Sequence, residues 1–391
     1  MNSAILVLNG GSSSLKFAAF EARDELPLLL RGGVSSIGGR PRLRVDATAT
    51  SPRQDRSLGE GPITIARAFE AVAAVLAERG LPAQVGKVGH RIVHGGRDFT
   101  GAAPLDERAL SALRKLEVLA PIHQAINLEI VDLAGRLLPA ATQFGCFDTA
   151  FHAGRPELAR IYGLPREMTE QGIVSYGFHG LSYAHIAASL RERRGARAGG
   201  RAIVAHLGSG ASLCAMKAGQ SVATTMGFST LDGLVMSTRC GAIDPGVLLH
   251  LMQERKLSSA ELTDLLYEQS GLLGVSGISG DMQVLLASKE ASAARAIDLF
   301  IYRIGREIGS LVAALGGLDT LVFTAGIGEH APEIRRRICE AAGWLGVALD
   351  EGSNLVGAEL ISGRNSAVEV LVIPADEERT VARELLGFEP V

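Results

Sequence analysis

The chain has 391 residues, a net charge of −3, and a composition that is 47% hydrophobic and 21% charged. This length exceeds one ordinary hydrophobic core and predicts two domains, while the small net charge gives no sign of a nucleic-acid or anionic-membrane partner. Four widely spaced cysteines form neither a zinc pattern nor a disulfide framework, and no apolar run is long enough to span a membrane, so we expect a soluble cytoplasmic protein.

Strand-like and helical patterns alternate along the chain. Apolar runs typical of strands lie at 4–8, 15–20, 85–93, 202–206, 212–216, 320–324 and 368–374. Helical spacing of apolar residues predicts helices from Ile65 to before Gly80, over 181–194 and over 297–315, and the segment 378–388 is also helix-like. This alternation indicates α/β domains whose sheets are covered by helices.

Two similar units of apolar run, Gly/Ser turn and apolar run occur in the chain. LNGGSSSLKF covers 8–17 and HLGSGAS covers 206–212, and neither has the spacing of a Walker loop. Glycines and hydroxyls at a hairpin tip expose donors that suit a phosphate, although an ordinary polar turn has the same composition. The second unit follows the loop-like RERRGARAGGR, so two related halves, the second starting near Arg201, are one interpretation, and two unrelated hairpins are the other.

Charged residues near these units could neutralise bound anions. In GHRIVHGG, Arg91 and Val93 share one strand face and suit a carboxylate with a short alkyl group. Asp148 follows an apolar run, at the end of a strand where α/β sheets bind ligands. Arg239 lies in a glycine-containing loop, and His179 lies among glycines and aromatic residues. A surface ion pair, a helix cap or a structural histidine would also explain these residues one by one.

Taken together, eight motifs resemble one family. LNGGSSSLKF, GHRIVHGG, FDTAFH, YGFHGLSY, HLGSGAS, TRCGAIDPG, FTAGIGE and PADEE occur from Ile5 to about Arg383 in the order seen in acetate kinases. The resemblance implies the superfamily of sugar kinases, heat-shock chaperones and actin (ASKHA). Its fold is α/β, with two duplicated actin/ribonuclease-H-like domains and a cleft between them.

The resemblance also implies a role for each matching residue. Those implied for catalysis are Arg91, Asp148, His179 and Arg239. Those implied for the acyl substrate are Arg91, Val93, Leu119 and Thr230. Those implied for the nucleotide are Asn9, Ser12, Ser14, Lys16, His206, Gly208, Ser209, Gly210, Asp281, Gly326 and Gly328. Those implied for the metal are Asn9, Asp148 and Glu377.

The same resemblance implies the domain organisation. Residues 1–148 and 375–391 would form domain I, which carries the acyl side, the first phosphate hairpin and the C-terminal helix. Residues 149–374 would form domain II, which binds the nucleotide and makes the homodimer.

Some positions differ from the family's usual sequence. Ser209 stands for the usual Asn, Thr230 for Pro, Ala242 for Asp, Gln124–Ile126 for Asn-Pro-Pro, and Ala375–Asp376 for Thr-Asn. No charged catalytic candidate is lost. In the family, several of these positions touch the acyl pocket or the nucleotide loop. The sequence therefore does not decide whether the substrate is acetate or propionate, or whether the phosphoryl donor is ATP or another compound.

The expected function is reversible, direct in-line phosphoryl transfer from ATP to acetate, giving acetyl phosphate and ADP, with Mg²⁺ or Mn²⁺. Propionate and butyrate are alternative acceptors. An actin-like or chaperone-like protein switched by a nucleotide is the non-enzymatic alternative, and the paired arginines favour the enzyme because a pure ATPase binds no carboxylate.

Overall fold

The computed structural model describes residues 3–11, 13–47, 52–194 and 200–388. The strands are β1 Ala4–Gly10, β2 Ser14–Glu21, β3 Leu28–Ser35, β4 Arg42–Val45, β5 Gln54–Ser57, β6 Val85–Ile92, β7 Ala103–Pro104, β8 Thr142–Phe147, β9 Arg201–Leu207, β10 Ala211–Lys217, β11 Gln220–Thr224, β12 Thr320–Thr324 and β13 Glu369–Val372.

The helices alternate with these strands. They are α1 Ile65–Glu78, α2 Glu107–Lys115, α3 Pro121–Leu137, α4 Arg166–Glu170, α5 Gly180–Arg194, α6 Pro245–Gln253, α7 Ser259–Glu268, α8 Gly271–Ser276, α9 Met282–Ala287, α10 Ala291–Leu315, α11 Ala325–His330, α12 Pro332–Ala341, α13 Glu351–Leu355 and α14 Glu377–Leu386. Short 3-10 turns cover Leu116–Leu119, Ala150–His152, Glu157–Ala159 and Gly343–Leu345.

The chain divides into two compact units, Met1–Ala153 with Asp376–Val391, and Gly154–Ala375. The first contains an eight-stranded sheet in the order β5-β4-β3-β2-β1-β6-β8-β7, and the second a five-stranded sheet in the order β11-β10-β9-β12-β13. In both sheets a hairpin and a third antiparallel strand are followed by two parallel strands. This repeated topology explains why the two glycine hairpins, β1–β2 and β9–β10, resemble each other.

The buried residues follow the predicted periodicities. In the first unit, alternate residues of β1 and β2 pack with Phe69, Val72 and Leu76 of α1, which Thr64 caps at its N-terminus. In the second, α10 buries one continuous stripe and begins at Ala291, six residues before the start predicted from the sequence. Among the described residues, no helix combines the length and the apolar character needed to cross a membrane.

Buried His90 on β6 makes the fold sensitive to acid. Its Nε2 lies 2.6 Å from Oε1 of Gln143, and burial lowers its pKa from 6.5 to about 4, although this hydrogen bond acts in the opposite direction. Between these pH values the unfolded chain binds a proton that the folded chain does not. The free energy of unfolding should therefore fall by about 3 kcal/mol as the pH drops from 6.5 to 4.

We expect His90→Asn to remove this part of the acid sensitivity in denaturant-unfolding midpoints measured from pH 7.5 to 4.5. The exposed His330, changed to Asn, serves as the control, and this variant should show the same change of unfolding midpoint with pH as the parent chain. A His90 variant that loses stability with acid as steeply as the parent chain would contradict the assignment.

Candidate active site

The first glycine hairpin is held tightly against α3. β1 and β2 pair antiparallel with Gly10 opposite Leu15, and Gly11 N–H donates to the Ser14 carbonyl over 2.8 Å. A methyl group on Gly10 would lie 2.1 Å from Cδ1 of Ile130 in α3. A side chain at Gly10 would have to displace Ile130, so the predicted hairpin ends in close contact with α3.

Two predicted phosphate ligands of this hairpin, Ser14 and Lys16, are accessible to solvent. Asn9 pairs across the hairpin with Lys16, which is exposed, and Ser14 is half-buried at the start of β2. Ser12 lies outside the described residues. An exposed ammonium group and a partly exposed hydroxyl are accessible to an anion without any change in the core.

Asn9 connects the hairpin to a cluster of charged side chains. Its Nδ2 donates to Glu377 over 2.9 Å and to Glu378 over 3.2 Å, and its Oδ1 accepts from Nη1 of Arg91 over 3.1 Å. Arg91 donates to Asp148 from Nε over 3.1 Å and from Nη2 over 2.7 Å. Three carboxyl groups thus gather around one guanidinium and one amide.

These hydrogen bonds use only some of the N–H groups of Arg91. A guanidinium carries five N–H groups, and the bonds to Asp148 and Asn9 use three of them. The remaining two, one on each Nη atom, are available to a planar carboxylate in the bidentate geometry that arginine favours. Its side chain is 18% exposed, so such a ligand can reach it.

The cluster holds more acid than base. Burial opposes the charge on Arg91, but Asp148 and Glu377 outweigh this and raise its pKa, so the guanidinium stays charged. Burial raises the pKa of Asp148 against the opposing effect of Arg91, and burial together with Glu377 raises the pKa of Glu378. A further cation at this place would therefore be stabilised.

The donor set suits a hard divalent cation that keeps several waters. The described residues contain no group of three or more His, Cys, Asp or Glu side chains arranged to hold a metal on their own. Asp148, Glu377 and the Asn9 amide offer oxygen ligands, and Mg²⁺ is commonly bound by one or two carboxylates plus water and phosphate oxygens.

Helix α14 brings its acidic residues to Arg91 because it packs directly on β6. A methyl group on Gly89 would lie 2.4 Å from Cγ1 of Val381. Asp376 caps the helix by accepting from Arg379 N–H over 3.1 Å, and Nη2 of Arg31 donates to the same carboxylate over 2.6 Å. These contacts fix the first turn of α14, where the two glutamates lie.

The segment after β6 is also fixed, by a buried amide. Val93 is 1% exposed, and its N–H donates to Oδ1 of Asn127 over 3.0 Å. Nδ2 of Asn127 donates to the carbonyl of Gly10 over 2.8 Å, which ties this segment to the phosphate hairpin. Leu119, the other predicted acyl contact of this unit, is half-buried at the end of the 3-10 turn Leu116–Leu119.

The second hairpin has a shorter turn. β9 and β10 pair with Leu207 opposite Ala211, and Gly208 N–H donates to the Gly210 carbonyl over 3.1 Å. The carbonyl of Ser209 accepts from Ser237 N–H over 3.1 Å. This contact anchors the tip of the hairpin to the loop that carries Arg239.

Two histidines stack beside this hairpin. The rings of His179 and His206 have centroids 4.2 Å apart and an interplanar angle of 22°. Nδ1 of His179 lies 2.8 Å from Oγ of Ser212, and Nδ1 of His206 lies 2.8 Å from Oγ of Ser182. The Nδ1 atoms of both histidines are thus bound to hydroxyl groups.

Arg239 reaches the same hairpin. A methyl group on Gly210 would lie 3.3 Å from Nε2 of His179 and 3.8 Å from Nη1 of Arg239. Nη1 also donates to the carbonyl of Thr230 over 3.2 Å, and the guanidinium lies 5.9 Å from the ring centre of Tyr267. The structure thus brings together the predicted residues His179, Arg239, Thr230 and Gly210.

A cavity of about 760 Å³ opens next to this hairpin, which is within the range of small-molecule sites. Its lining residues are Gly208, Ser209, Ser237, Gly280, Asp281, Met282, Gln283, Leu286, Gly326, Ile327, His330, Ala331, Pro332 and Glu333. Apolar side chains alternate there with a few polar groups. Four predicted nucleotide residues, Gly208, Ser209, Asp281 and Gly326, line this cavity.

The segment FTAGIGEH has the strand and glycine pattern that predicts a strand followed by a glycine loop, and the structure corrects the second part. The end of β12 is followed directly by helix α11. The chain turns sharply at Ala325, with φ of 65°, and enters the helix at once. Gly328 lies behind the cavity wall, where its carbonyl accepts from Arg335 over 3.0 Å. This arginine is buried and also binds Asn354, so it fixes α11 from behind.

The sequence resembles proteins of established families over its whole length. The model of the acetokinase family matches residues 4–383. A relative from Rhodopseudomonas palustris named acetate kinase is 51% identical over 394 residues, covering 98% of both chains. Another acetate kinase, from Nitrobacter hamburgensis, is 46% identical over 387 residues, covering 98% of this chain and 96% of its own.

Solved structures give the same result. A propionate kinase from Francisella tularensis has a TM-score of 0.90 at 33% identity, covering 98% of both chains. The acetate kinase of Porphyromonas gingivalis has a TM-score of 0.84 at 34% identity, covering 97% of this chain and 98% of its own. The fold is that of the duplicated actin-like kinases, as predicted. The chain belongs to the acetokinase family, so the resemblance drawn from its eight motifs is confirmed.

As a member of this family the chain is an enzyme, a kinase that uses ATP or ADP and a divalent metal. This confirms the enzymatic interpretation over a protein switched by a nucleotide.

Sequence reasoning missed several residues of the candidate site. Glu378 was signalled only by the second glutamate of PADEE, and nothing in the spacing marked Asn127, Tyr183 or Ser212 as partners of functional residues.

Proposed function

We propose that the enzyme transfers the γ-phosphoryl group of ATP reversibly and directly to acetate, giving acetyl phosphate and ADP. The observation that carries this proposal is that each glycine hairpin lies beside one arginine. Arg91 bonds to Asn9 of the first, and Arg239 lies 3.8 Å from the position of a methyl group on Gly210 of the second. Acetate is favoured over propionate because the relative at 51% identity is an acetate kinase.

The acceptor needs no general base, because a carboxylate is already ionised near neutral pH. Arg91 would bind it through the two N–H groups left over from Asp148 and Asn9. Val93 and Leu119 would limit the size of its alkyl group. These contacts position the nucleophilic oxygen, and positioning is the larger part of catalysis in a reaction of this class.

Electrostatics explain why arginines are required. Two unit anions about 4 Å apart repel by roughly 4 kcal/mol at an effective dielectric of 20, whereas one neutral donor contributes only about 0.5–1.5 kcal/mol. Arg239 would neutralise the phosphoryl oxygens as charge develops, and Nε2 of His179 would donate a hydrogen bond to one of them. His206 and the Gly208–Gly210 turn would hold the nucleotide phosphates. The cavity between α9 and α11 would take the nucleoside.

Mg²⁺, with Mn²⁺ as the alternative, would be held by Asp148, Glu377 and Asn9 and supply further positive charge to the nucleotide phosphates. The excess of carboxyl groups around Arg91 supports this assignment.

The first test is the acyl phosphate itself. We expect hydroxylamine trapping with magnesium ATP to give the most product with acetate, less with propionate and least with butyrate.

Arg91→Ala and Arg239→Ala should each lower kcat by about a thousandfold, since each removes a charge that stabilises the transition state. The exposed arginines Arg136 and Arg255, changed to alanine, serve as controls. Near-normal rates in either site variant would contradict the role of that arginine.

The second test concerns the metal. Asp148→Asn should raise the magnesium concentration for half-maximal activity at least fivefold, because a buried carboxylate is replaced by a neutral amide of the same shape. Asp132→Asn is the matched control, since Asp132 pairs with Arg114 at the surface. An unchanged magnesium titration in the Asp148 variant would remove that residue from the metal site.

We also propose a homodimer formed through α6. None of the described residues of this helix is buried, and its apolar side chains Val247, Leu249 and Met252 are 41%, 55% and 46% exposed. Light scattering should give twice the chain mass, and Leu249→Glu should give the monomer. Leu355→Glu, at a site 74% exposed elsewhere in the unit, should remain dimeric. A parent chain that is monomeric at micromolar concentration would rule this out.

We place the enzyme in the cytoplasm. The four cysteines Cys146, Cys214, Cys240 and Cys339 are all free thiols, as in proteins of a reducing compartment.

A further inference from the structure

Beneath His179 lies a buried chain of hydroxyl groups. Oγ of Ser212 lies 2.8 Å from Nδ1 of His179, and the hydroxyl of Tyr183 makes a short hydrogen bond to the same Oγ. Both Ser212 and Tyr183 are 0% exposed. Ser212 belongs to β10, and Tyr183 lies in the first turn of α5, so two separate elements converge behind the imidazole.

His179 is held there in a costly backbone conformation. Its φ is 58°, in the left-handed region that is uncommon for residues other than glycine, although histidine adopts it more often than most. Strain of this kind persists where the surrounding structure fixes one geometry, and it is often found at functional sites. The position of the ring relative to Ser212 is therefore set by the fold rather than by free rotation.

The surroundings of His179 favour its neutral form. Its ring stacks on that of His206, and the groups facing its Nε2 include the guanidinium of Arg239, since both nitrogens approach the same point beside Gly210. A second positive charge in this buried position would be repelled by the first. A neutral imidazole carries one proton, on either Nδ1 or Nε2.

The direction of each hydrogen bond follows from counting protons. To donate to a phosphoryl oxygen, His179 must carry its proton on Nε2, so Nδ1 must accept the proton of the Ser212 hydroxyl. Ser212 has no other proton, so the bond between it and Tyr183 must be donated by Tyr183. Burial raises the pKa of Tyr183 well above its usual value, so this proton stays in place.

We propose that Tyr183 and Ser212 are positioning residues, which fix His179 as the neutral tautomer with its proton on Nε2. This assignment rests on the proposed phosphoryl transfer, because the direction of both hydrogen bonds follows from the proton that Nε2 donates to the phosphoryl oxygen. His206 has a simpler arrangement, with Ser182 as the hydroxyl bound to its Nδ1.

Nitrogen NMR of the full chain labelled with [15N]histidine tests the location of the proton directly. The unprotonated nitrogen of a neutral imidazole resonates far downfield of the protonated one, and His179→Gln identifies the signals. We expect a protonated Nε2 and an unprotonated Nδ1 at pH 7.5. A proton on Nδ1, alone or together with one on Nε2, would overturn the proposal even if the enzyme is fully active.

Kinetics test the function of the two hydroxyls. Ser212→Ala should lower kcat about tenfold while the KM values for ATP and the carboxylate stay within twofold, because the hydrogen bonds to Nδ1 of His179 and to Tyr183 are lost while no contact to a substrate is removed. Tyr183→Phe should lower kcat about threefold and give both tautomers in the NMR spectrum. Ser212→Thr, which keeps the hydroxyl, should restore most of the activity.

Tyr176→Phe is the matched control, since it removes a buried tyrosine hydroxyl that donates to the carbonyl of Gly172. It should keep the tautomer of the parent chain. Equal losses of kcat in the Tyr176 and Tyr183 variants, or a Tyr183 variant with an unchanged His179 tautomer, would overturn the proposal. A parent chain without kinase activity but with the expected tautomer would instead contradict only the proposed function.

Discussion

The charge balance around Arg91 is the constraint on which the first unit depends. One guanidinium, held by Asp148 and Asn9, is surrounded by three carboxyl groups, two of which come from the first turn of α14. Burying like charges together costs several kcal/mol unless a cation or a proton compensates. The cluster is therefore most stable with a further cation present, so a metal bound at the proposed site would also stabilise this part of the fold.

This arrangement depends on close packing at two glycines of the first unit. A methyl group on Gly89 of β6 would lie 2.4 Å from Cγ1 of Val381 in α14, and one on Gly10 of β1 would lie 2.1 Å from Cδ1 of Ile130 in α3. In the second unit, a methyl group on Gly210 would lie 3.3 Å from Nε2 of His179 and 3.8 Å from Nη1 of Arg239. In both units a glycine of the hairpin thus lies against side chains of neighbouring elements.

Much of this could be predicted because it is local. Both hairpins, the helix ending before Gly80 and the strand ending at Phe147 follow from patterns within about ten residues. Partners from distant elements could not be predicted, since Asn127 and Tyr183 resemble ordinary helical residues until the tertiary fold is known. The turn at Ala325 was missed for another reason, because a positive φ at alanine contradicts its usual preference.

The segment that follows β6 keeps a rigid backbone, although the helix packed against it differs in sequence from the family's usual one. Gln124 stands where the family commonly has asparagine before two prolines, and it binds both the N–H and the carbonyl of His94. Asn127 similarly satisfies Val93 N–H and the Gly10 carbonyl. A buried polar backbone group without a partner costs about 1–3 kcal/mol, so these two amides hold the segment firmly in place of proline rings. Val93, which we propose limits the size of the acceptor, therefore lies on a fixed backbone. The same amide that binds its N–H also binds the Gly10 carbonyl, and so fixes the first glycine hairpin as well.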